Sequence, residues 1–336
     1  MKILITGHKG YIGAWLVPIL QLNKNNILLG MDIGLFEGCE IYPLSKINEM
    51  PVSDIRNITH EELQGIDIIC HLAAISNDPM GELDEKITMD INLSGTIKLA
   101  ENAKKAGVKR FIFSGSCSIY GSSKDSEISE EGTMLPLSTY AKTKVDSEKR
   151  LHELSDENFQ VISMRNATAF GWSPSFRTDL VANNLCASAI STGKQIVQSD
   201  GEPWRPLVHC KDIANLMARF CYLKEIPSNF LPINIGSTNI NVRVKDIVNI
   251  ISSHLPDIDV EFMNIAPNDP RNYRVSFKKL ETLLQDKNYL EYNLSSGILD
   301  MIINMKEHSK NKIDNYLGKR FIRLQMLKDR ISKIQL

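Results

Sequence analysis

Three side chains carry the chemistry that this sequence offers. Tyr140 and Lys144 lie four apart in a run with helical periodicity, which puts both on one helix face. A lysine ammonium beside a phenol stabilises the phenolate and lowers its pKa. A tyrosinate that titrates near neutral pH can take the proton of a substrate hydroxyl while hydride leaves the same carbon. Tyr-x-x-x-Lys alone is common on helix surfaces. The segment upstream is what singles this pair out, because Ser114, Ser116 and Ser118 follow the apolar run 110–113. A parallel strand delivers such residues to the carboxyl edge of its sheet, where ligands bind in open α/β architectures. A serine hydroxyl there can hold the substrate oxygen next to Tyr140.

A hydride needs an acceptor, and the N-terminus supplies a place for one. Gly7-His8-Lys9-Gly10-Tyr11-Ile12-Gly13 follows the apolar run Ile3-Leu4-Ile5 and precedes Trp15, Leu16, Ile19 and Leu20 at helical spacing. Gly7 permits the tight turn off the strand, Gly10 lets backbone approach a pyrophosphate, and Gly13 lets the helix pack closely on the sheet. The helix start then offers unpaired N–H groups to the phosphates. The second apolar run, 27–31, ends at Asp32. A carboxylate there accepts hydrogen bonds from the adenosine ribose and repels a 2′-phosphate, and Ile33-Gly34-Leu35 brings no arginine directly after it. NAD is therefore expected in preference to NADP.

The elements that position these residues follow from periodicity. Strands are expected at 66–72, 110–113 and 160–164, with a long amphipathic helix at about 84–106, ended by Gly107, and another from Tyr140 to about Leu154. Strands alternating with helices predict an α/β fold, a Rossmann-type doubly wound parallel sheet covered on both faces. After Arg165 the chain becomes irregular and proline-rich. This predicts a smaller mixed substrate-binding lobe from about 166–206 and 238–305, over a dinucleotide domain of 1–165 plus about 207–237. The tail, 306–336, has nine lysines and arginines against three acidic residues, and Phe321, Leu324, Leu327, Ile331 and Ile334 recur at helical spacing. It is read as a basic helical tail packed on its own protein or a partner subunit, with a membrane surface or polyanion as the other reading.

The bulk composition is ordinary. A formal net charge of -1 over 336 residues gives no pull toward nucleic acid or membrane, and no apolar run is long enough to span a bilayer. No apolar targeting segment with a cleavage site opens the chain. Cys39, Cys70, Cys117, Cys186, Cys210 and Cys221 lack metal-ligand spacing, so no metal is expected and reduced thiols in a cytoplasm fit best.

The chain resembles the extended short-chain dehydrogenase/reductases of the nucleotide-sugar epimerase/dehydratase group. The resemblance rests on Thr6-Gly7-x-x-Gly10-Tyr11-Ile12-Gly13, Asp54-Ile55-Arg56, His71-Leu72-Ala73-Ala74 and Asn92. It continues in Phe113-Ser114-Gly115-Ser116-Cys117-Ser118-Ile119-Tyr120-Gly121, Tyr140-x-x-x-Lys144, Arg165 with Phe170-Gly171, and Arg205-Pro206-Leu207-Val208-His209-x-x-Asp212-Ile213-Ala214. These pieces occur in order over roughly residues 1–275. The resemblance implies Ser116, Tyr140 and Lys144 as the catalytic set, with Lys144 also on the nicotinamide ribose. It implies Asp54 and Ile55 near the adenine, and Leu72, Ala73, Ala74, Asn92 and Ser114 among the cofactor contacts. Arg205 matches a family arginine that grips the substrate's diphosphate. Asn183, Asn184, Arg271 and Arg274 are further candidates for the nucleotide, each with a structural role as its alternative. The resemblance also implies a homodimer built from the helices at about 84–106 and 140–154.

The departures from the family pattern narrow the reaction. The family's 4,6-dehydratases carry Asp-Glu directly after the catalytic hydroxyl residue, where this chain has Cys117-Ser118, and the related decarboxylases favour glutamate at the position of Ser118. Cys117 reads as a packed thiol. What remains is oxidation to a keto-sugar followed by return of the hydride to the other face, an epimerisation most commonly at C4. Release of the ketone, by a dehydrogenase or ketoreductase, stays open. So do 4,6-dehydration and a non-enzymatic dinucleotide-binding scaffold or RNA-binding module, the last opposed by the intact Ser116, Tyr140 and Lys144.

Overall fold

The structure is a computed structural model that describes residues 1–121, 127–263, 272–286, 288–311 and 315–334. Among these, seven strands form the central sheet: β1 (Lys2–Thr6), β2 (Ile27–Met31), β3 (Asn48–Glu49), β4 (Ile68–His71), β5 (Arg110–Ser116), β6 (Gln160–Asn166) and a last strand, Phe230–Ile235. Their spatial order is β3-β2-β1-β4-β5-β6 followed by Phe230–Ile235, and every pairing is parallel. The order reverses between β1 and β4, which is the switch point where doubly wound sheets open a crevice at their carboxyl edge.

The interior strands are buried along most of their length, as a sheet covered on both faces requires. The helices that lie between these strands in the chain are α1 (Gly13–Gln21), α2 (Asp78–Gly81), α3 (Glu85–Met89), α4 (Thr96–Lys105) and α5 (Thr139–Leu154). Further along, β7 (Thr168–Phe170), α6 (Val181–Thr192), β8 (Lys194–Val197), β9 (Trp204–His209) and α7 (Cys210–Cys221) precede β10, the last sheet strand, and β11 (Asn241–Arg243), α8 (Val244–His254) and β12 (Asp259–Phe262) follow it. β11, β9 and β7 form a three-stranded sheet and β12 pairs with β8. α9 (Lys278–Leu284), α10 (Leu294–Asn311) and α11 (Arg323–Arg330) complete the helices.

Two expectations need correction. The single helix expected at 84–106 is interrupted, because residues Asp90–Gly95 form a π-helical turn between α3 and α4. The backbone carbonyl of Asn92 accepts from the hydroxyls of Thr96 (2.7 Å) and Ser147 (3.1 Å), so side chains compete for a group in the helical ladder there. The expected strand at 110–113 also continues to Ser116, because Gly115 and the serines are paired against β6 rather than left in a loop.

The tail packs on its own chain. Phe321, Leu327 and Ile334 are buried. Arg320 donates to the carbonyl of Glu40, and Arg330 donates to the carbonyls of Leu35 (2.8 Å) and Glu37 (2.9 Å), so the excess of basic residues fastens the loop that follows Asp32. No helix among the described residues is long and apolar enough to cross a membrane.

Candidate active site

A cavity of ≈ 700 Å³ opens at the carboxyl edge of the sheet, within the size range of small-molecule and cofactor sites. One end is the glycine turn. Gly7 adopts φ 72°, and a Cβ there would lie 2.7 Å from the backbone nitrogen of Ala73. A Cβ on Gly13 would lie 2.5 Å from the carbonyl oxygen of Gly7. Both positions therefore exclude a side chain, one through conformation and both through space. The Asp32 carboxylate is fixed at the end of β2 by the backbone N–H groups of Lys9 (3.1 Å) and Gly34 (2.8 Å). Gly7, Gly10, Tyr11, Ile12, Gly13, Asp32, Asp54, Ile55, Leu72, Ala73, Ala74 and Ser114 all line the cavity. A bare cradle at a helix start, a carboxylate beside it and an apolar wall beyond fit a dinucleotide.

Ser116, Tyr140 and Lys144 line the same cavity. β5 carries Ser116 to the sheet edge. Ser138 caps α5 by accepting from the N–H of Ala141 (3.1 Å), so the helix starts where Tyr140 falls in its first turn. The side chain of Ser116 accepts from the N–H of Ser118 (3.1 Å) and is a polar neighbour of Tyr140. Lys144 is 6% exposed. Its Nζ donates to the carbonyl of Ser114 (2.7 Å) and lies 5.7 Å from the centre of the Tyr140 ring.

The electrostatics differ from the simple expectation. Removal from water pushes the Tyr140 phenol up to about 12, with the polar Ser116 side chain and the charge of Arg177 opposing and Asp78 adding to the rise. The same desolvation brings Lys144 down to about 7, so its own charge is disfavoured and the Ser114 carbonyl holds it aside. The protein alone therefore keeps this tyrosine protonated, so a positive charge beside the phenol has to favour the phenolate before Tyr140 can act as a base.

Three candidates are not brought to the cavity wall. Asn92 is buried behind it, its side chain accepting from the N–H of Ile75 (2.8 Å) and donating to the carbonyl of Ile75 (2.9 Å). It shapes the loop after Ala74 instead of facing the cavity. Asn183 is buried with its amide engaged by Gly171 N–H (2.9 Å), the Tyr11 hydroxyl (3.0 Å) and the Arg177 carbonyl (2.8 Å). Arg274 is exposed and lies over the Trp204 ring at 5.0–5.2 Å together with Arg243. Asn184 and Arg205 do line the cavity. Arg271 lies outside the described residues.

Other cavity residues are not singled out by the sequence, although substrate choice is expected of the loop at 76–82. Asp78, Arg177 and Asp179 line the wall near Tyr140. Asp179 is paired with Arg177 (2.7 Å) and also accepts from Asn77 (2.8 Å), while Asp78 accepts from the Ser138 hydroxyl (2.5 Å). Asn77-Asp78-Pro79 carries a cap-and-proline helix start, the one local signal that marked this segment. Cys117 is buried, with its thiol pushed up by burial and directed at the Arg165 carbonyl (3.1 Å), which is packing rather than acid chemistry. Among the described residues no cluster of His, Cys, Asp and Glu fits a metal ion.

Comparison with known proteins gives the family and the fold. An uncharacterized UDP-glucose epimerase of Bacillus subtilis (strain 168) is 26% identical over 226 residues, covering 63% of this chain and 70% of that protein. The UDP-glucuronic acid 4-epimerase of Bacillus cereus, solved with UDP-glucuronic acid and NAD, superimposes with a TM-score of 0.78 at 24% identity, over 91% of this chain and 99% of that one. An NAD dependent NDP-hexosamine 5,6-dehydratase involved in tunicamycin biosynthesis gives a TM-score of 0.79 at 20% identity, over 91% and 98%. The model of the NAD dependent epimerase/dehydratase family matches residues 3–236, more than half of the chain and all of the glycine turn, Ser116, Tyr140 and Lys144, and the chain belongs to that family.

Proposed function

We propose that this chain is an NAD-dependent nucleotide-sugar epimerase that inverts C4 of a nucleoside diphosphate sugar, with uridine as the base that its relatives' names favour. One observation carries the choice of epimerisation. The Ser116–Tyr140–Lys144 set stands in a cavity whose nearby carboxylates, Asp78 and Asp179, are engaged by Ser138, Arg177 and Asn77, and no carboxylate stands at the two positions directly after Ser116. Elimination of water needs an acid to protonate the leaving hydroxyl, and epimerisation does not.

In this reading Ser116 holds the C4 oxygen and Tyr140 takes its proton during oxidation. Tyr140 then returns that proton when the ketone is reduced from its other face. Bound NAD supplies the hydride acceptor for the first half and the donor for the second. Lys144, buried beside the phenol, steadies its anionic form as the proton leaves. Arg205 and Asn184 serve the diphosphate and nucleoside. Purified protein incubated with UDP-glucose, UDP-glucuronic acid and UDP-N-acetylglucosamine should give the C4 epimer by proton NMR without net NADH. Net NADH accumulation, or loss of water from the sugar, would replace epimerisation with a dehydrogenase or dehydratase.

We also infer a homodimer through the α3–α4 and α5 face and residence in a reducing cytoplasm, in keeping with six buried unpaired thiols. A monomer by light scattering at working concentration would count against the dimer.

A further inference from the structure

The dinucleotide side of the cavity is closed by a residue from far along the chain. Arg323 opens α11, beyond the residues 3–236 that the family model covers. It is 2% exposed and lines the cavity. Its Nη2 donates to the Ser175 hydroxyl (2.9 Å) and carbonyl (3.3 Å), and its guanidinium lies 5.0 Å from the centre of the Phe36 ring. Its Nη1 is buried and has no hydrogen-bond partner among the described residues. An unfilled buried donor on a charged group is costly, and it points to a ligand.

The charges around it sharpen that conclusion. Arg177 is buried close by, and Asp179 binds Arg177 through both oxygens (3.0 and 2.7 Å). Asp179 and Glu40 act on Arg323 only through space, and the neighbouring Cys39 thiol is pushed toward its neutral form by burial. The wall thus holds a buried positive charge with no hydrogen-bonded counter-charge among the described residues, which suits an anion. Its position selects which anion. Ser175 N–H donates to the Ser173 hydroxyl (3.2 Å), which donates to the carbonyl of Tyr11 (2.7 Å), so Arg323 is tied to the glycine turn. Phe36 belongs to the loop after Asp32, the same loop that Arg320 and Arg330 fasten. Ser116 and Tyr140 appear in none of its contacts.

We propose that Arg323 is a phosphate-binding residue, its Nη1 donating to the dinucleotide's diphosphate, and that the tail 319–334 is a strap holding it there. This rests on the reading of the cavity as an NAD site. The test is binding, by calorimetry on the full chain freed of nucleotide. Arg323→Met should weaken ADP-ribose and NAD by roughly ten- to a hundred-fold, the range of a charged hydrogen bond. Adenosine, measured by displacement, and UDP should bind as in the parent. Arg323→Lys keeps the charge and loses the fork, and should fall between the two. Unchanged ADP-ribose affinity in either variant would overturn the proposal, as would an equal loss for adenosine, which marks a structural role. Loss for UDP alone would move the contact to the substrate's diphosphate and overturn the assignment to the dinucleotide. If Arg323→Met does not fold, the lysine variant decides alone. Failure of the parent chain to bind ADP-ribose or NAD would instead sink the dinucleotide reading itself.

Discussion

Lys144 is held by the main chain of Ser114, its Nζ donating to that carbonyl at 2.7 Å. The strand that delivers the reactive serine therefore also fixes the lysine of the neighbouring helix. Because β5 and α5 are locked at this point, the distance between Ser116 and Tyr140 is set by rigid elements rather than by a loop.

Tyr140→Phe should lower turnover by about 10²–10⁴-fold, the usual worth of a positioned acid/base. It deletes the proton carrier and keeps the ring that Lys144 faces. NAD titrated into the variant should bind as in the parent. Activity near the parent level would remove Tyr140 from the mechanism.

Asp32 should make NADP bind at least ten-fold more weakly than NAD, because a 2′-phosphate would be placed against a fixed carboxylate. The basic tail does not cancel this, since Arg330 is engaged by the carbonyls of Leu35 and Glu37. Asp32→Asn should narrow the difference. Equal affinities in the parent chain, by titration, would refute the role of Asp32.

The parts legible in the sequence were those with short-range causes. The glycine turn, the β1–α1–β2 run and Tyr140 with Lys144 are each specified by residues within one or two elements, and periodicity finds them. Ser116 was found by its place after an apolar strand. Asn92 and Asn183 could not be told from ligand contacts in sequence, because the backbone that each one meets lies outside its own helix, Ile75 in one case and Gly171 with Arg177 in the other. The π-turn was hidden because its hydroxyl donors include Ser147, on another helix. Arg323 was invisible for the same reason. Periodicity expects the tail to pack, but not that Arg323 meets Phe36 and Ser175.

His71 should make stability fall with pH. Thr6 and Thr96 satisfy both nitrogens of the buried ring (2.7 and 2.8 Å), and burial, with the charge of Lys144, lowers its pKa from 6.5 to about 3. Between those values the unfolded chain holds a proton that the folded chain does not. Stability from this group is complete above about 6.5 and is lost as pH falls toward 3. The slope is up to about 1.4 kcal/mol per pH unit. Urea unfolding of the parent and His71→Gln at pH 7.5, 6 and 5 should show a flatter decline in the variant. Parallel declines would mean that His71 does not titrate on unfolding.

Glu148→Gln should destabilise the fold by about 3–5 kcal/mol, as expected when one partner of a buried ion pair is removed. Glu148 lies one turn beyond Lys144 on α5. It accepts from Arg165 at 2.5 and 3.0 Å and from the Ser163 hydroxyl at 2.7 Å, while Arg165 also donates to the Tyr120 hydroxyl (2.9 Å) and the Glu130 carbonyl (2.7 Å). The pair thus clamps the catalytic helix to β6 and to the turn just after Ser116. A neutral amide at 148 leaves Arg165 with its hydrogen bonds to Tyr120 and Glu130 but without its counter-charge. The double replacement Glu148→Leu with Arg165→Met removes both charges and should cost less than Glu148→Gln alone, if the harm lies in the orphaned guanidinium rather than in lost attraction. Equilibrium urea unfolding of the three proteins separates these accounts. A double variant less stable than the single one would show that the pair's attraction, and not the stranded charge, dominates this part of the core.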